Sequence, residues 1–270
     1  MTQHPRTERA RQRERTAQIR LLARLERVAA TRFAREFDRL ARELAAMFRQ
    51  FGALIALEAA LLEHSERLAA ILDRFYLDTG TTFAARARTA VGKAAGPGLV
   101  KQEGMPATLF QLAMRQFIDG VAGARIDEIT STTRRQIQDA LLEIDETGMG
   151  EIPGARVIQR ATGGAIGRRR AATIARTEGH TGSQFAGQIQ MEQLGLEYTK
   201  RWVSVQDDRT RDKDDEFNHK AANGQRVKRR EKFAIKRKKG GVELLDFPGD
   251  PKGSPGNIIN CRCVMVFEIV

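Results

Sequence analysis

A proline-free stretch near the N-terminus constrains the fold most. No proline occurs between Pro5 and Pro97, and Ala, Arg, Leu and Glu, all good helix formers, dominate the residues before position 78. Apolar residues in this stretch mostly recur every three or four positions, which places them on one helix face: Leu22, Leu25, Ala29, Phe33, Phe37, Leu40, Leu44, Met47, Phe48 and Phe51. The pattern predicts a long helical region over residues 1–78, with a break near Gly52 and a second helix from Ala53 to Leu77. Such a stripe is typical of a bundle core or of self-association through the N-terminal helices.

Changes in composition divide the rest of the chain into three regions. Residues 79–106 are rich in Gly and Pro, so we expect a joint that interrupts the helices. Residues 107–194 return to a helical pattern, in which Ser131 or Thr132 is expected to cap a helix. Residues 195–270 contain more turn signals and shorter apolar runs, which predicts a small α+β domain.

Two segments of that C-terminal region alternate in polarity, as a strand with one buried face does. They are Tyr198–Val205, with the only tryptophan, and Cys261–Ile269 at the chain end. The predicted fold class is therefore mainly α, with long N-terminal helices, a helical middle region and a short antiparallel sheet in a small α+β C-terminal domain.

The chain is strongly basic, with 46 Lys and Arg against 34 Asp and Glu and a formal net charge of +12. This surplus suits a polyanionic partner, nucleic acid or an acidic protein surface, although a basic protein without such a partner has the same balance. The longest nearly apolar stretch, Gly52–Leu62, is about half of the ~20 residues that a membrane-spanning helix needs, so no membrane partner is expected. We also expect no secretory signal, and two cysteines are too few for a disulfide framework, which favours a reduced setting.

Two basic segments are candidate DNA-binding surfaces. Residues 226–239 hold nine basic side chains and one acidic side chain. The candidates in this segment are Arg226, Lys228, Arg229, Arg230, Lys232, Lys236, Arg237, Lys238 and Lys239. The second segment is the run Arg168, Arg169 and Arg170. Such density neutralises phosphates without reading bases, so we expect nonspecific DNA contact, and a solvated hairpin is the alternative.

Cys261 and Cys263 are the candidate metal ligands. Both lie on one face of the predicted terminal strand, about 7 Å apart by the rise per residue. Two thiolates there could hold one zinc ion, with His219 as a third ligand. The fourth ligand would be His180, Asp207 or Asp208. The C-x-C spacing is shorter than the usual zinc spacing, and two small buried apolar side chains are the alternative. No other cofactor is expected.

Four strings occur in order towards the C-terminus: IARTE (Ile174–Glu178), WVSVQDDRTR (Trp202–Arg211), HKAANGQ (His219–Gln225) and FPGDPKGSPGNIINCRC (Phe247–Cys263). Their order and spacing, over about residues 130–270, resemble the phage Mu F-like minor head proteins, the phage head morphogenesis family. The motif residues in these strings are Arg176, Glu178, Trp202, Asp207, Asp208, Arg209, Arg211 and Asn260.

The resemblance implies a minor head (capsid) protein of a tailed phage or prophage that acts in head morphogenesis. It further implies location in the virion head, and in the host cytoplasm during assembly, with the portal and/or major capsid protein and packaged DNA as partners. Two alternatives stay open. One is a zinc-stabilised nonspecific DNA-binding protein without a head role, and the other is a nuclease.

A nuclease would need magnesium ligands, which Asp207, Asp208, Asp214, Asp215 and Glu216 could supply. The non-catalytic interpretation of the same region is an aspartate–arginine pairing that supports the strand of Trp202. The phosphate-loop, dinucleotide-binding, nucleophile-elbow and zinc-protease motifs are missing from the sequence. We therefore expect no catalytic residues and no enzyme activity.

Overall fold

The computed structural model describes residues 8–95 and 107–269. The helices are α1 (Glu8–Phe51), α2 (Leu57–Ala95), α3 (Ala107–Thr147), α4 (Glu151–Thr162), α5 (Gly164–Gln193), α6 (His219–Ala222) and α7 (Pro255–Ile258). The strands are β1 (Tyr198–Val203), β2 (Arg226–Lys228), β3 (Phe233–Lys236), β4 (Val242–Leu245) and β5 (Val264–Ile269). This confirms the predicted fold class, with long helices followed by a small antiparallel sheet region.

Helix α1 ends at the predicted break. Gly52 has a φ of +64°, the left-handed conformation that glycine adopts without steric cost, and its N–H donates to the carbonyl of Phe48 at 2.8 Å. Helix α2 then begins at Leu57 instead of the predicted Ala53 and continues to Ala95 instead of Leu77.

Glycines of the predicted joint do not break α2 where the structure describes it. Gly80 lies inside the helix, and a Cβ at this position would lie 2.6 Å from Cε of Met114. A glycine inside a helix costs only about 1 kcal/mol relative to alanine, which close packing can offset. Residues 96–106 of the predicted joint lie outside the described residues, and the predicted boundaries at 78, 106 and 194 stay predictions.

The middle region begins with one continuous helix, so the predicted cap at Ser131 or Thr132 is wrong. The hydroxyl of Thr132 instead donates to the carbonyl of Glu128 one turn earlier, at 2.9 Å. A threonine inside a helix satisfies its hydroxyl in this way without starting a new helix. Helix α3 ends at Thr147, before Gly148 with a φ of +60°.

The chain forms two compact units, each discontinuous in sequence. The first contains the described residues of Met1–Leu25, Tyr76–Gln116 and Arg176–Val270, and the second contains Glu26–Phe75 and Phe117–Ala175. In the second unit, apolar faces of α1, α2, α3 and α4 form the core. Its buried members include Leu40, Leu44, Phe48, Ile137, Ala140 and Ile158. Much of the predicted N-terminal stripe is therefore core.

The first unit holds the sheet and the residues of all four C-terminal motifs except Ile174 and Ala175. Strand β1 is central and pairs antiparallel with β2 on one side and β5 on the other. In that register Trp202 lies opposite Met265. Strands β3 and β4 form a separate hairpin. Strand β5 begins at Val264, so Cys261 and Cys263 precede the strand in which they were predicted.

Candidate functional site

The predicted metal ligands come together in the first unit. His219, Cys261 and Cys263 are all buried, and their ligand atoms lie within 4.8 Å of one another. His219 Nδ1 is 3.6 Å from Sγ of Cys261 and 3.5 Å from Sγ of Cys263. The geometry removes the objection to the C-x-C spacing, because both sulfur atoms reach the same imidazole nitrogen.

Local backbone geometry turns both cysteines inward. Asn260 has a φ of +57°, a left-handed conformation that asparagine tolerates better than most residues, and it redirects the chain just before Cys261. Arg262, between the two cysteines, is directed to Asp207 instead, with Nη1 and Nη2 at 2.7 and 2.6 Å from the carboxylate oxygens. The alternation of inward and outward side chains gives the two thiols one shared face.

A short helix presents His219 to the thiols. His219 is the first residue of α6, and the side chain of Asn218 caps that helix by accepting from the N–H of Ala221 at 2.8 Å. On the far side of the ring, Nε2 lies 2.6 Å from Oδ1 of Asn257. Asn257 in turn donates from Nδ2 to Glu243. Because the carboxylate requires a donor, Oδ1 of Asn257 faces His219, and Nε2 of His219 carries the proton.

The carboxylate of Glu243, which ends this series of hydrogen bonds, has further hydrogen-bond donors. Glu243 also accepts hydrogen bonds from the N–H and the hydroxyl of Ser254, at 2.9 and 2.6 Å. Burial raises the pKa of Glu243, but the hydrogen bonds from Ser254 and Asn257 outweigh it, so the pKa is below its ordinary value. Glu243 is therefore ionised near neutral pH and orients Asn257, and through it His219.

The two thiols differ in their tendency to ionise. A hydrogen bond from Cys263 lowers the pKa of Cys261 well below its ordinary value, and His219 and His180 lower it further. Burial raises the pKa of Cys263 well above its ordinary value. The two thiols therefore titrate as a coupled pair, in which Cys261 ionises more readily than Cys263.

Aromatic rings enclose the cluster. The ring of Trp202 meets the ring of His219 edge to face at 5.5 Å and that of Phe233 at 5.3 Å. Trp202, Phe217 and Phe233 are fully buried and belong to the same apolar core as both cysteines. The site is thus a buried cluster of imidazole and thiol groups within the apolar core.

Two of the motif residues, Arg176 and Arg211, bind the turn that carries the cysteines. Arg176 donates to Oδ1 of Asn260 at 3.1 Å, and Arg211 donates to the carbonyl of Ile259 at 2.5 Å. Glu178 accepts from the hydroxyl of Tyr76 at 2.5 Å. Asp208 and Arg209 are exposed. The strings IARTE, DDRTR and NCRC therefore hold one turn, the one that carries the cysteines.

Sequence reasoning missed three members of this surrounding shell: Asn257, Glu243 and Arg262. The predicted aspartate–arginine pairing exists at Asp207, but its arginine is Arg262 and not Arg209 or Arg211. Asn257 and Arg262 both lie inside the last motif string, in GNIINCRC, so that string was the sequence signal that could have identified them. Glu243 lies outside the motif strings, so no sequence signal pointed to it.

The predicted DNA-binding residues fall into two groups. Some are engaged by the protein itself. Arg226 is bound to Thr199, Arg229 to the carbonyl of Glu192, and Arg237 to Ser254. Lys238 donates to the carbonyl of Asp214, and Lys232 lies 3.9 Å from Asp246.

The other group faces solvent. Within the described part of the chain, four exposed side chains of this segment have no hydrogen-bond or ion-pair partner: Lys228, Arg230, Lys236 and Lys239. In the second unit, Arg168 and Arg169 are exposed. Arg170 is different, because it donates to Gln136 and Thr133 and stacks over Phe37 at 4.6 Å. Burial lowers its pKa to about 10.

Two carboxylates of the nuclease alternative, Asp215 and Asp207, are engaged within the protein, as is the neighbouring Asp212. Asp212 accepts from the N–H of Asp214 at 3.0 Å, and Asp215 accepts from the N–H of Asp212 at 2.9 Å. Asp207 is paired with Arg262. Among the residues that the structure describes, these carboxylates do not form a three-ligand metal cluster.

The comparisons place the chain in a known family. The family model described as "Phage Mu protein F like protein" matches residues 116–266, more than half of the chain. The chain therefore belongs to the phage Mu protein F-like family, a phage head morphogenesis family, as the motif strings predicted. No curated protein and no solved structure matches it. None of the described helices combines the length and the apolar character needed to span a bilayer.

Proposed function

We propose that this chain is a minor head protein of a tailed phage or prophage, which acts in head assembly through contacts with the portal or major capsid protein and with packaged DNA. The observation that carries the proposal is the family match over residues 116–266, because it contains the whole cysteine–histidine site and its motif shell. The family is a structural one, in keeping with a protein that works by contact instead of turnover.

The DNA contact is nonspecific in this proposal. Lys228, Arg230, Lys236 and Lys239 present their charged groups to solvent, and the chain carries a net charge of +12. Aromatic residues near them are buried in the core and so offer no platform for bases. Binding to phosphates alone releases counterions and falls steeply with salt.

A salt titration tests this contact. Replacing Lys228, Arg230, Lys236 and Lys239 by Gln should flatten the plot of log affinity against log salt by about one unit for each lost phosphate contact. Binding would be followed by fluorescence anisotropy with a labelled duplex. A charge-matched control replaces four exposed arginines of the second unit: Arg42, Arg49, Arg135 and Arg156. An equal change in both variants would assign the effect to net charge and not to this surface.

A protein contact is proposed at the turn between α1 and α2. Phe51 and Ile55 are 52% and 67% exposed there, which is unusual for large apolar side chains. Replacing both by Ser should weaken co-purification with the portal or major capsid protein of the same phage. Val28 is 53% exposed on α1 and serves as the control position, where the same change to Ser should have no effect.

Deletion of the gene tests the head role. The proposal predicts defective or non-infectious heads in electron micrographs of lysates, with rescue by the wild-type gene supplied in trans. Normal infectious particles from the deletion strain would contradict it and would favour the DNA-binding protein without a head role.

A further inference from the structure

We propose that His219, Cys261 and Cys263 bind one Zn²⁺ ion and that Nε2 of His180 fills the fourth coordination position. Thiolate and imidazole are the ligands that zinc takes in structural sites, and two of each is a common set. All four side chains are at most 3% exposed, so the site would be closed to solvent, as structural zinc sites are.

The observed distances match a tetrahedron. With Zn–S of about 2.3 Å and Zn–N of about 2.0 Å, tetrahedral angles place sulfur and nitrogen about 3.5 Å apart. Nδ1 of His219 lies 3.6 and 3.5 Å from the two sulfur atoms. A metal ion between these three atoms therefore needs little movement of the ligands.

The hydrogen bonds of His219 leave the correct nitrogen available. Nε2 carries the proton and donates to Asn257, so the lone pair of Nδ1 points to the thiols. Asn257 is itself held by Glu243. A carboxylate that orients a ligating histidine through its second nitrogen is typical of zinc sites, and here an amide relays the effect.

The fourth position is supported by an unpartnered atom. His180 is 3% exposed, and its Nε2 makes no hydrogen bond within the described structure. Its ring lowers the pKa of Cys261, which places it near that thiol, and packs over Gly249, where a Cβ would lie 2.6 Å from Cδ2 and 3.3 Å from Nε2. Because His180 lies outside the three-residue cluster, coordination requires its ring to turn toward the thiols. Burial of an unpaired imidazole nitrogen is costly, and coordination would remove that cost.

The charges also balance. Binding of Zn²⁺ displaces the protons of the two thiols to solvent, and two thiolates with one Zn²⁺ give a centre without net charge. The two neutral histidines add no charge to this centre. Such a centre is compatible with the apolar core that surrounds it, where a single unpaired ion is not.

Metal content and cobalt spectroscopy of the full chain test the proposal without any substitution. The chain would be purified without a histidine tag or chelator, under reducing conditions, from zinc-supplemented cells. We expect about one zinc per chain by mass spectrometry, and on replacement by Co²⁺ the intense visible bands of a tetrahedral site with a sulfur-to-metal charge-transfer band. No bound zinc, and no such bands after Co²⁺ is added to the reduced apo protein, would overturn the proposal.

Variants assign the ligands. Cys261→Ser and Cys263→Ser should each abolish stoichiometric zinc, whereas Ile235→Val, a mild change in the same core, should retain it. His180→Gln should weaken zinc affinity at least about tenfold in competition with a chromogenic chelator. Full zinc in either cysteine variant would overturn the site, and unchanged affinity in His180→Gln would overturn the fourth ligand.

Discussion

Asp207 accepts two hydrogen bonds from the guanidinium of Arg262, with Nη1 2.7 Å from Oδ2 and Nη2 2.6 Å from Oδ1. The pair joins the loop after β1 to the turn before β5. The hydrogen bonds hold the pKa of Asp207 well below its ordinary range. Because Arg262 is held outward, the cysteines on both sides of it face the interior. The pair therefore links the second motif string to the last one at the turn that carries the cysteines.

Asp207→Asn should weaken this pairing. The carboxylate is 35% exposed, so solvent screens part of the interaction, and we expect a loss of about 1 kcal/mol in the free energy of unfolding. Urea titration followed by tryptophan fluorescence measures it, since Trp202 is in the adjacent core. Asp208→Asn, at the exposed neighbouring position, should leave stability unchanged, and equal curves for both variants would refute the structural role of Asp207.

A second carboxylate attaches the start of α1 to the sheet. Glu268 on β5 accepts from Nε of Arg11 at 3.0 Å and from Nε of Arg201 at 2.9 Å. Its side chain is only 7% exposed. Glu268→Gln should cost about 3 kcal/mol, because it leaves the charge of the arginines uncompensated in a partly buried site. Glu146→Gln, at an exposed position on α3, is the control. An equal loss of stability in this variant would show that the effect does not come from the ion pairs of Glu268.

The same residue predicts a pH dependence. Burial raises the pKa of Glu268, but the hydrogen bonds from Arg201 and Arg11 outweigh it and hold the pKa below the ordinary value of 4.5. The stabilisation is therefore fully present above about pH 4.5 and is lost as the pH falls through the lower folded-state pKa. Melting temperatures from pH 7 to pH 3 should fall less steeply in Glu268→Gln than in the wild type. Parallel curves would mean that this carboxylate does not contribute.

The left-handed turn at Asn260 should tolerate glycine better than alanine. Alanine at a φ of +57° is disfavoured by about 1–2 kcal/mol relative to glycine. Both substitutions remove the hydrogen bond from Arg176, so their difference isolates the backbone term. Thermal unfolding should rank wild type first, Asn260→Gly second and Asn260→Ala last. A reversal of the last two would show that the turn can relax.

Two glycines inside helices should respond in opposite ways to alanine. At Gly182 on α5 a Cβ would lie 2.8 Å from Cδ1 of the fully buried Tyr76, so Gly182→Ala should cost about 1–3 kcal/mol. At Gly120 on α3 nothing lies within 4 Å, so Gly120→Ala should stabilise by about 0.5–1 kcal/mol. Calorimetry of both variants checks the signs, and stabilisation by Gly182→Ala would contradict the packing.

Periodicity predicted the helices well because local spacing determines which face is buried. The break at Gly52 and the buried residues Phe33, Phe37 and Leu40 follow from it directly. Helix interruptions were harder to predict. Gly80 and Thr132 carry breaking or capping preferences, but tertiary packing and a hydroxyl bond to the preceding turn keep both inside helices.

The members of the candidate site were predicted better than their contacts. His219, Cys261 and Cys263 are chemically distinctive, so residue type alone singled them out. The partner of Asp207 was not predictable, because Arg209 and Arg211 are nearer in sequence but Arg262 is nearer in space. Arg170 was predicted to bind DNA because of its charge, and only the fold reveals that Gln136 and Thr133 hold it.

Quantitative mass spectrometry of purified phage particles tests the head role most directly. The proposed function predicts peptides from this chain in particles that withstand density-gradient purification and nuclease treatment, at a few copies for each portal assembly. Infectious particles of the source phage that never contain the chain, although infected cells express it, would contradict a role as a component of the head.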